Sequence, residues 1–283
     1  MSARDERVQR YYATHAVQEW NRLEAAGDGA IEFALTTRLV REHLPESSRV
    51  LDLGGGPGRY TIHLAEQGHS VVLADIVPAL LEVAREQIEA ALVGHNVEEI
   101  VEADACDLSR WPDESFDGVL CLGPFYHLLE AERRDLAACE IARVLRPSGL
   151  VFAAFMPRLL FVRRSMVVRA EWPHLQEPEF LRRVLEEGVF FNDAEGRFDS
   201  GYGARPEEIA PFFERHGFEF EALIATESIA PPAARELAEM AQTDLAAWAA
   251  AIEVLAATAS EPSILGAANH LLYVGRKRRP AAW

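Results

Sequence analysis

Apolar positions along this chain follow two alternating rhythms. From residue 50 onwards, short continuous apolar runs that end in glycine or an acidic residue are separated by stretches where apolar residues return every three or four positions. The first rhythm suits buried strands and the second amphipathic helices. Strands are expected at 50–53, 70–74, 99–103, 116–122, 150–155, 218–226 and 270–275. Between them, 61–67 reads as a helix stopped by Gly68, and Pro78 suits the first turn of a helix carrying Leu80, Leu81, Ala84 and Ile88 on one side. Further helices are expected at 132–145 and 206–216. A long one after Pro231-Pro232 would align Leu237, Ala241, Leu245, Trp248, Ile252 and Leu255. Residues 5–43 read as two helices broken at Gly27-Asp28-Gly29.

Strands alternating with helices imply parallel neighbours, because a parallel pair needs a long crossover. The expected fold is α/β: a doubly wound, mostly parallel, seven-stranded, Rossmann-like sheet with an N-terminal helical segment. The rhythm fails after Pro157, where 158–190 is helical but irregular around Trp172-Pro173-His174, and 190–203 reads as an ordered loop. The chain therefore divides into an N-terminal helical cap (1–48), a ligand-binding core (49–156), a helical lid inserted after the fifth strand (157–205), and the remaining part of the core sheet (206–283).

The chemistry concentrates at Asp52-Leu53-Gly54-Gly55-Gly56-Pro57-Gly58-Arg59-Tyr60. A strand enters a turn that small residues permit, and the following helix points free N–H groups back at whatever lies there. Taken alone, such a turn is shared by many nucleotide-binding folds. Asp75 ends the second expected strand, where a carboxylate can accept both hydroxyls of a ribose. Asp104-Ala105 ends the third.

With these residues in place, the chain resembles the class I S-adenosylmethionine-dependent methyltransferases over residues 49–156. The motif 51–58, Asp75, Asp104 and the turn Arg143-Val144-Leu145-Arg146-Pro147-Ser148-Gly149 match that family in order and spacing, except that Ser148 stands where glycine is more usual. The resemblance implies S-adenosylmethionine as cofactor, with S-adenosylhomocysteine as product. It also implies that Asp52, Gly54, Gly55, Gly56 and Gly58 cradle the methionine part, Asp75 binds ribose and Asp104 contacts adenine. Tyr60, Ile76, Ala105 and Leu122 join this cofactor set. The segment 123–128 resembles a bacterial subgroup with Gly-Pro-hydrophobic-Tyr-His-Leu at this turn, placing Tyr126 and His127 beside the reacting centre. They are the candidate catalytic residues, with His127 as a general base; the competing reading has His127 only bind cofactor or cap a helix. From the N-terminal helix, Tyr12 and neighbouring Tyr11, His15 and Trp20 could flank a sulfonium, and Arg22 could meet the methionine carboxylate. In the insertion, Arg163, Arg164, Arg169, Trp172, His174, Phe190, Phe191 and Tyr202 are candidates for an acceptor pocket.

Two other functions fit parts of this pattern. A nicotinamide-dependent oxidoreductase would use a glycine turn, but usually as G-x-G-x-x-G, whereas Gly54, Gly56 and Gly58 alternate. A non-catalytic regulator that binds an adenosyl ligand would keep the glycines beneath an unproductive lid.

The bulk numbers narrow the partners. A formal charge of −17 over 283 residues argues against a nucleic-acid partner, leaving a small-molecule acceptor. The basic run 276–279 reads as a solvated tail. Cys106, Cys121 and Cys139 form no metal-binding spacing and read as reduced, buried and inert. No His/Asp cluster demands a metal. A charged N-terminus and an apolar stretch at 150–162 broken by Pro157 and Arg158 suggest a cytoplasmic protein without membrane association. A homo-oligomer is compatible with the sequence.

Overall fold

The structure is a computed structural model that describes residues 3–23, 28–191 and 200–279. The expected strands form as β1 (Arg49–Leu53), β2 (Ser70–Asp75), β3 (Val97–Glu102), β4 (Phe116–Cys121) and β5 (Leu145–Pro157), followed by β6 (Val189–Phe191), β7 (Ser200–Ala204), β8 (Phe218–Ala225) and β9 (Leu271–Lys277). Seven of them run in the order β3-β2-β1-β4-β5-β9-β8, with β9 antiparallel to both neighbours. β1, β2 and β4 are buried almost end to end, as strands covered by helices on both faces must be. Alternate residues serve opposite faces: Val50 packs with Leu73 and Leu120, whereas Leu51 and Leu53 pack with Phe116 and Val119. β1 and β4 are neighbours, although the chain visits β2 and β3 between them. This reversal opens a crevice at the carboxyl ends of the strands, where doubly wound sheets bind ligands.

Two helices precede the sheet, α1 (Ala3–Arg22) and α2 (Asp28–His43); of the expected break between them, residues 24–27 lie outside the described residues. α3 (Arg59–Glu66) and α4 (Pro78–Ala90) cover one face, α5 (Pro124–His127) is a single turn beyond β4, and α6 (Ala131–Val144) covers the other face. The insertion contains α7 (Arg158–Val167), a 3₁₀ stretch at Arg169–Gln176 and α8 (Pro178–Arg182). α9 (Pro206–Arg215) leads into β8, with α10 (Ala234–Thr243), α11 (Leu245–Thr258) and α12 (Pro262–Leu265) before β9.

Several expectations need correcting. The loop expected at 190–203 is bounded by an antiparallel hairpin, β6 with β7, and β7 extends the end of β5 through Met156–Gly203 and Pro157–Ala204 pairing; residues 192–199 lie outside the described residues. The long C-terminal helix is two helices, because Asp244 leaves helical geometry and caps α11 by accepting from Ala247 N at 2.9 Å. Leu245, expected on the buried face, is therefore exposed. The turn before the fifth strand lies inside β5 as a register shift, with Ser148 at φ 68°, a left-handed conformation in which glycine is unstrained. The basic run is a solvated tail only at its end, since Arg276 and Lys277 belong to β9 while Arg278 and Arg279 are exposed. Arg276 pairs with Glu221 at 2.5 Å and donates to Ser148 O, Lys277 donates to Leu145 O at 2.6 Å, and Arg279 donates to Ser148 Oγ. Of the cysteines only Cys121 is fully buried, Cys139 is exposed, and burial pushes the half-buried Cys106 thiol up to about 11. No helix among the described residues is long and apolar enough to cross a membrane.

Candidate active site

A cleft of about 1190 Å³, counted out to its open mouth, occupies the crevice above β1, β2 and β4. It is lined by Asp52, Gly54, Gly55, Gly56, Tyr60, Asp75, Ile76, Asp104, Ala105, Leu122, Tyr126, His127, Tyr12 and Arg22, so one cavity gathers the expected residues from four strand ends and from α1. Gly58 is the exception. At φ 85° it caps α3, and an added Cβ would lie 3.3 Å from Ala84, so this glycine allows the turn to pack on α4 rather than facing the cleft.

The glycines also serve packing within the protein. A Cβ on Gly54 would fall 2.7 Å from Pro124, and one on Gly55 would fall 2.4 Å from Leu73 and 2.5 Å from the Asp52 carboxylate. Gly54 (φ 70°) and Gly56 (φ 55°) also take left-handed backbone geometry. The turn therefore folds tightly over Asp52 while its backbone lines the cleft.

Two buried carboxylates flank this turn. Asp52 Oδ2 accepts from Thr61 Oγ1 at 2.7 Å, while its Oδ1 is buried with no protein partner. Asp75 Oδ2 accepts from Gly56 N and its Oδ1 from Val77 N, both at 2.9 Å. Burial pushes both carboxyls up to about 6, and the neighbouring charge of Asp75 adds to the effect on Asp52. Neither has a cationic side chain within ion-pair distance among the described residues, so a hydrogen-bond donor or cation entering the cleft would favour their ionised forms. Asp104 is held differently: Oδ1 accepts from Cys106 N at 2.9 Å and Oδ2 pairs with Arg133 at 2.8 Å.

At the other wall, the Tyr126 hydroxyl donates to Leu122 O at 3.0 Å. His127 Nε2 lies 3.0 Å from the Tyr12 hydroxyl, and burial lowers its pKa to about 4. The imidazole is therefore neutral near pH 7, the form that can accept a proton, and a weaker base than free histidine. Burial also raises the Tyr12 phenol, which stays protonated and can donate to Nε2.

α1 lies over the cleft and is tied down at intervals. Gln9 donates to Ile76 O at 2.8 Å, Tyr12 meets His127, and Arg59 stacks 3.4 Å over Trp20 while donating to Trp20 O. Of the N-terminal aromatics only Tyr12 lines the cavity; Tyr11 stacks on His15 and Trp20 serves Arg59. Arg22 lines the cavity but already pairs with Glu32 at 2.6 Å and Glu19 at 3.2 Å. Glu32 in turn lies 3.8 Å from His270, which bonds the fully buried Glu227 at 2.6 Å.

The expected lid is elsewhere. Among the described residues of the insertion none lines the cleft: Phe161, Phe180, Val184 and Phe190 form a separate apolar cluster. Arg163 turns to Ala268 O, Arg164 to Glu171, and His174 stacks on Phe180. Conversely, Glu19, Glu32, Arg59 and Arg133 line the cleft without having been expected. The spacing of Arg22 and Glu32 across a glycine break was the available signal, since a helical hairpin brings such positions together.

A family profile described as a methyltransferase domain matches residues 51–153. A demethylmenaquinone methyltransferase from Clavibacter sepedonicus is 36% identical over 152 residues, covering 53% of this chain and 58% of the relative. The chain spans about half the length of the curated relatives it matches. Among solved structures, an S-adenosylmethionine-dependent methyltransferase from Methanosarcina mazei is similar with a TM-score of 0.59 and 15% identity, over 86% of this chain and 98% of that one. The 1,6-didemethyltoxoflavin-N1-methyltransferase of Burkholderia thailandensis, solved with S-adenosylhomocysteine, has a TM-score of 0.58 and 16% identity, over 99% of this chain and 92% of that one. At these identities the structural likeness speaks to the fold.

Proposed function

We propose that this chain, whose residues 51–153 match a methyltransferase-domain profile, uses S-adenosylmethionine to methylate a small-molecule acceptor in the cleft beneath α1. The observation that carries the reading is the pair of buried carboxylates, Asp52 and Asp75, on either side of a glycine turn, which among the described residues have no cationic partner. S-adenosylmethionine, when bound, supplies an activated methyl group to an attacking acceptor atom by in-line displacement.

The chain's own residues fit that ligand. Asp75 would accept from the ribose hydroxyls, Asp104 with Ala105 would meet the adenine, and Asp52 with Gly54, Gly55 and Gly56 would receive the cationic methionine end. The unmatched Asp52 Oδ1 supports this placement. Arg22 would face the methionine carboxylate, in competition with Glu32. Tyr60, Ile76 and Leu122 complete the walls. Tyr12, Tyr126 and His127 form the acceptor side, where the neutral His127 and protonated Tyr12 orient α1 and exclude water rather than strip a proton. Orientation of this kind can lower a barrier by roughly 7–11 kcal/mol.

A small acceptor is favoured because the chain carries a charge of −17, which repels a phosphate backbone. The test is incubation with methyl-labelled S-adenosylmethionine and panels of phenols, quinols and amines. Label transferred to one class, with S-adenosylhomocysteine formed in equal amount, supports the reading. Label passing to tRNA but to no small molecule overturns it.

A further inference from the structure

A second cavity lies between α6, α9 and the β6–β7 hairpin, about 850 Å³ counted to its mouth, and it shares no lining residue with the first. Its apolar walls come from Phe155, Tyr202, Phe212 and Ile209. Its charged residues are Arg134, Arg158 and Arg215 with Asp135, Glu187 and Glu208.

Most of these charges are already committed. Arg158 pairs with Glu208 at 2.8 Å and gives its other N–H groups to the carbonyls of Gly203 and Glu186. Glu187 pairs with Arg182 at 2.6 Å, and Asp135 lies 3.2 Å from His216 Nε2. Arg134 and Arg215 remain: among the described residues neither has a carboxylate within ion-pair distance. Arg134 uses one nitrogen on the carbonyls of Leu128 and Leu129, both at 2.7 Å, and its guanidinium lies 3.6 Å from the Tyr202 ring centre. Arg215 lies over Phe212 at 5.6 Å and makes one 3.3 Å bond to Pro211 O.

Arg134 and Arg215 are thus the guanidinium groups of this aromatic-walled cavity without an ion-pair partner among the described residues. Arg215 is exposed, and Arg134 is half-buried with only the longer-range charges of Asp135, Glu130 and Glu132 acting on it. A half-buried guanidinium without a counterion is costly, and burial indeed lowers the Arg134 pKa. A planar carboxylate suits its fork, and an aromatic ring suits the walls. We propose that this cavity is a second ligand site that takes a small aromatic carboxylate on Arg134 and Arg215, independently of the cleft that holds S-adenosylmethionine.

The test is isothermal titration of the full chain with sodium benzoate, benzyl alcohol and sodium phosphate, repeated with saturating S-adenosylhomocysteine. The proposal expects benzoate to bind, with the neutral alcohol and the non-aromatic anion each at least about tenfold weaker, a difference of about 1.4 kcal/mol. Arg215→Ala, on the surface, and Arg134→Gln should each weaken benzoate at least about fivefold. Arg134 also holds two carbonyls, so its variant is read beside a melting curve, whereas Arg215→Ala stands without that check. Absence of benzoate binding, equal affinity in Arg215→Ala, phosphate binding as tightly as benzoate, or displacement of benzoate by S-adenosylhomocysteine would each overturn the proposal. The first three outcomes are scored whether or not the protein binds S-adenosylhomocysteine or transfers methyl groups.

Discussion

Replacing Asp75 by asparagine should separate ligand binding from folding. In the native fold its carboxylate receives Gly56 N and Val77 N, each at 2.9 Å, in a site so buried that the carboxyl is pushed from its ordinary value to about 6. That displacement disfavours the ionised form by about 3 kcal/mol near pH 7.5, a cost that asparagine avoids. Against this gain, the amide turns one acceptor into a donor that faces a backbone N–H, a loss of about 1–3 kcal/mol. The two effects nearly cancel, so stability should move by no more than about 1–2 kcal/mol, or a few degrees of melting temperature. Binding has no such compensation. A ribose hydroxyl pair would lose its charged acceptor, and affinity for S-adenosylhomocysteine should fall at least about tenfold. Calorimetric titration and differential scanning calorimetry on the same preparation give both numbers. Unchanged affinity would refute the ribose assignment, and an affinity loss matched by a collapse in melting temperature would refute the compensation.

Other perturbations test neighbouring parts. Gly55→Ala forces a Cβ against Leu73 and Asp52, so a denaturant melt should show a loss of about 1–3 kcal/mol; an unchanged midpoint would mean that the turn is looser than described. Affinity for S-adenosylmethionine should fall as pH drops through about 6, where Asp52 and Asp75 take up protons, and should be flat above pH 7; titrations at pH 5 and 7.5 decide this. The same two groups act oppositely on stability. Their folded pKa values lie above the unfolded ones, so their contribution is greatest below about pH 4 and is lost as pH rises through about 6, which melting of the Asp52→Asn variant against pH would reveal. Ser148→Gly relieves a left-handed residue and should stabilise by up to about 1 kcal/mol, less the bond to Arg279; a fall in melting temperature would show that the bond dominates.

How much was legible beforehand depended on how far apart the cooperating residues stand. Asp52, the glycine turn and Asp75 lie on one strand–turn–helix–strand unit, where local geometry leaves little freedom, and all but Gly58 were brought to the cleft. Gly58 misled because a packing glycine and a ligand-facing glycine leave the same trace in a sequence. The covering element was misassigned for a different reason. Irregular helices at 158–190 resemble a lid, but their apolar residues Phe161, Phe180 and Phe190 satisfy one another, while Tyr12 and Arg22 on α1 reach the cleft. Glu32 joins the site through the packing of α2 beside α1, which the glycine break between Arg22 and Glu32 permits but does not by itself fix. His127 is a candidate base because imidazole titrates near neutrality in water, whereas the burial that moves it to about 4 belongs to the assembled fold.

Whether the cleft beneath α1 holds S-adenosylmethionine is decided by calorimetric titration with S-adenosylmethionine, S-adenosylhomocysteine and NADH. Both adenosyl ligands should bind at about micromolar Kd, one per chain, with no heat from NADH. Tight NADH binding with no response to either adenosyl ligand would contradict this placement.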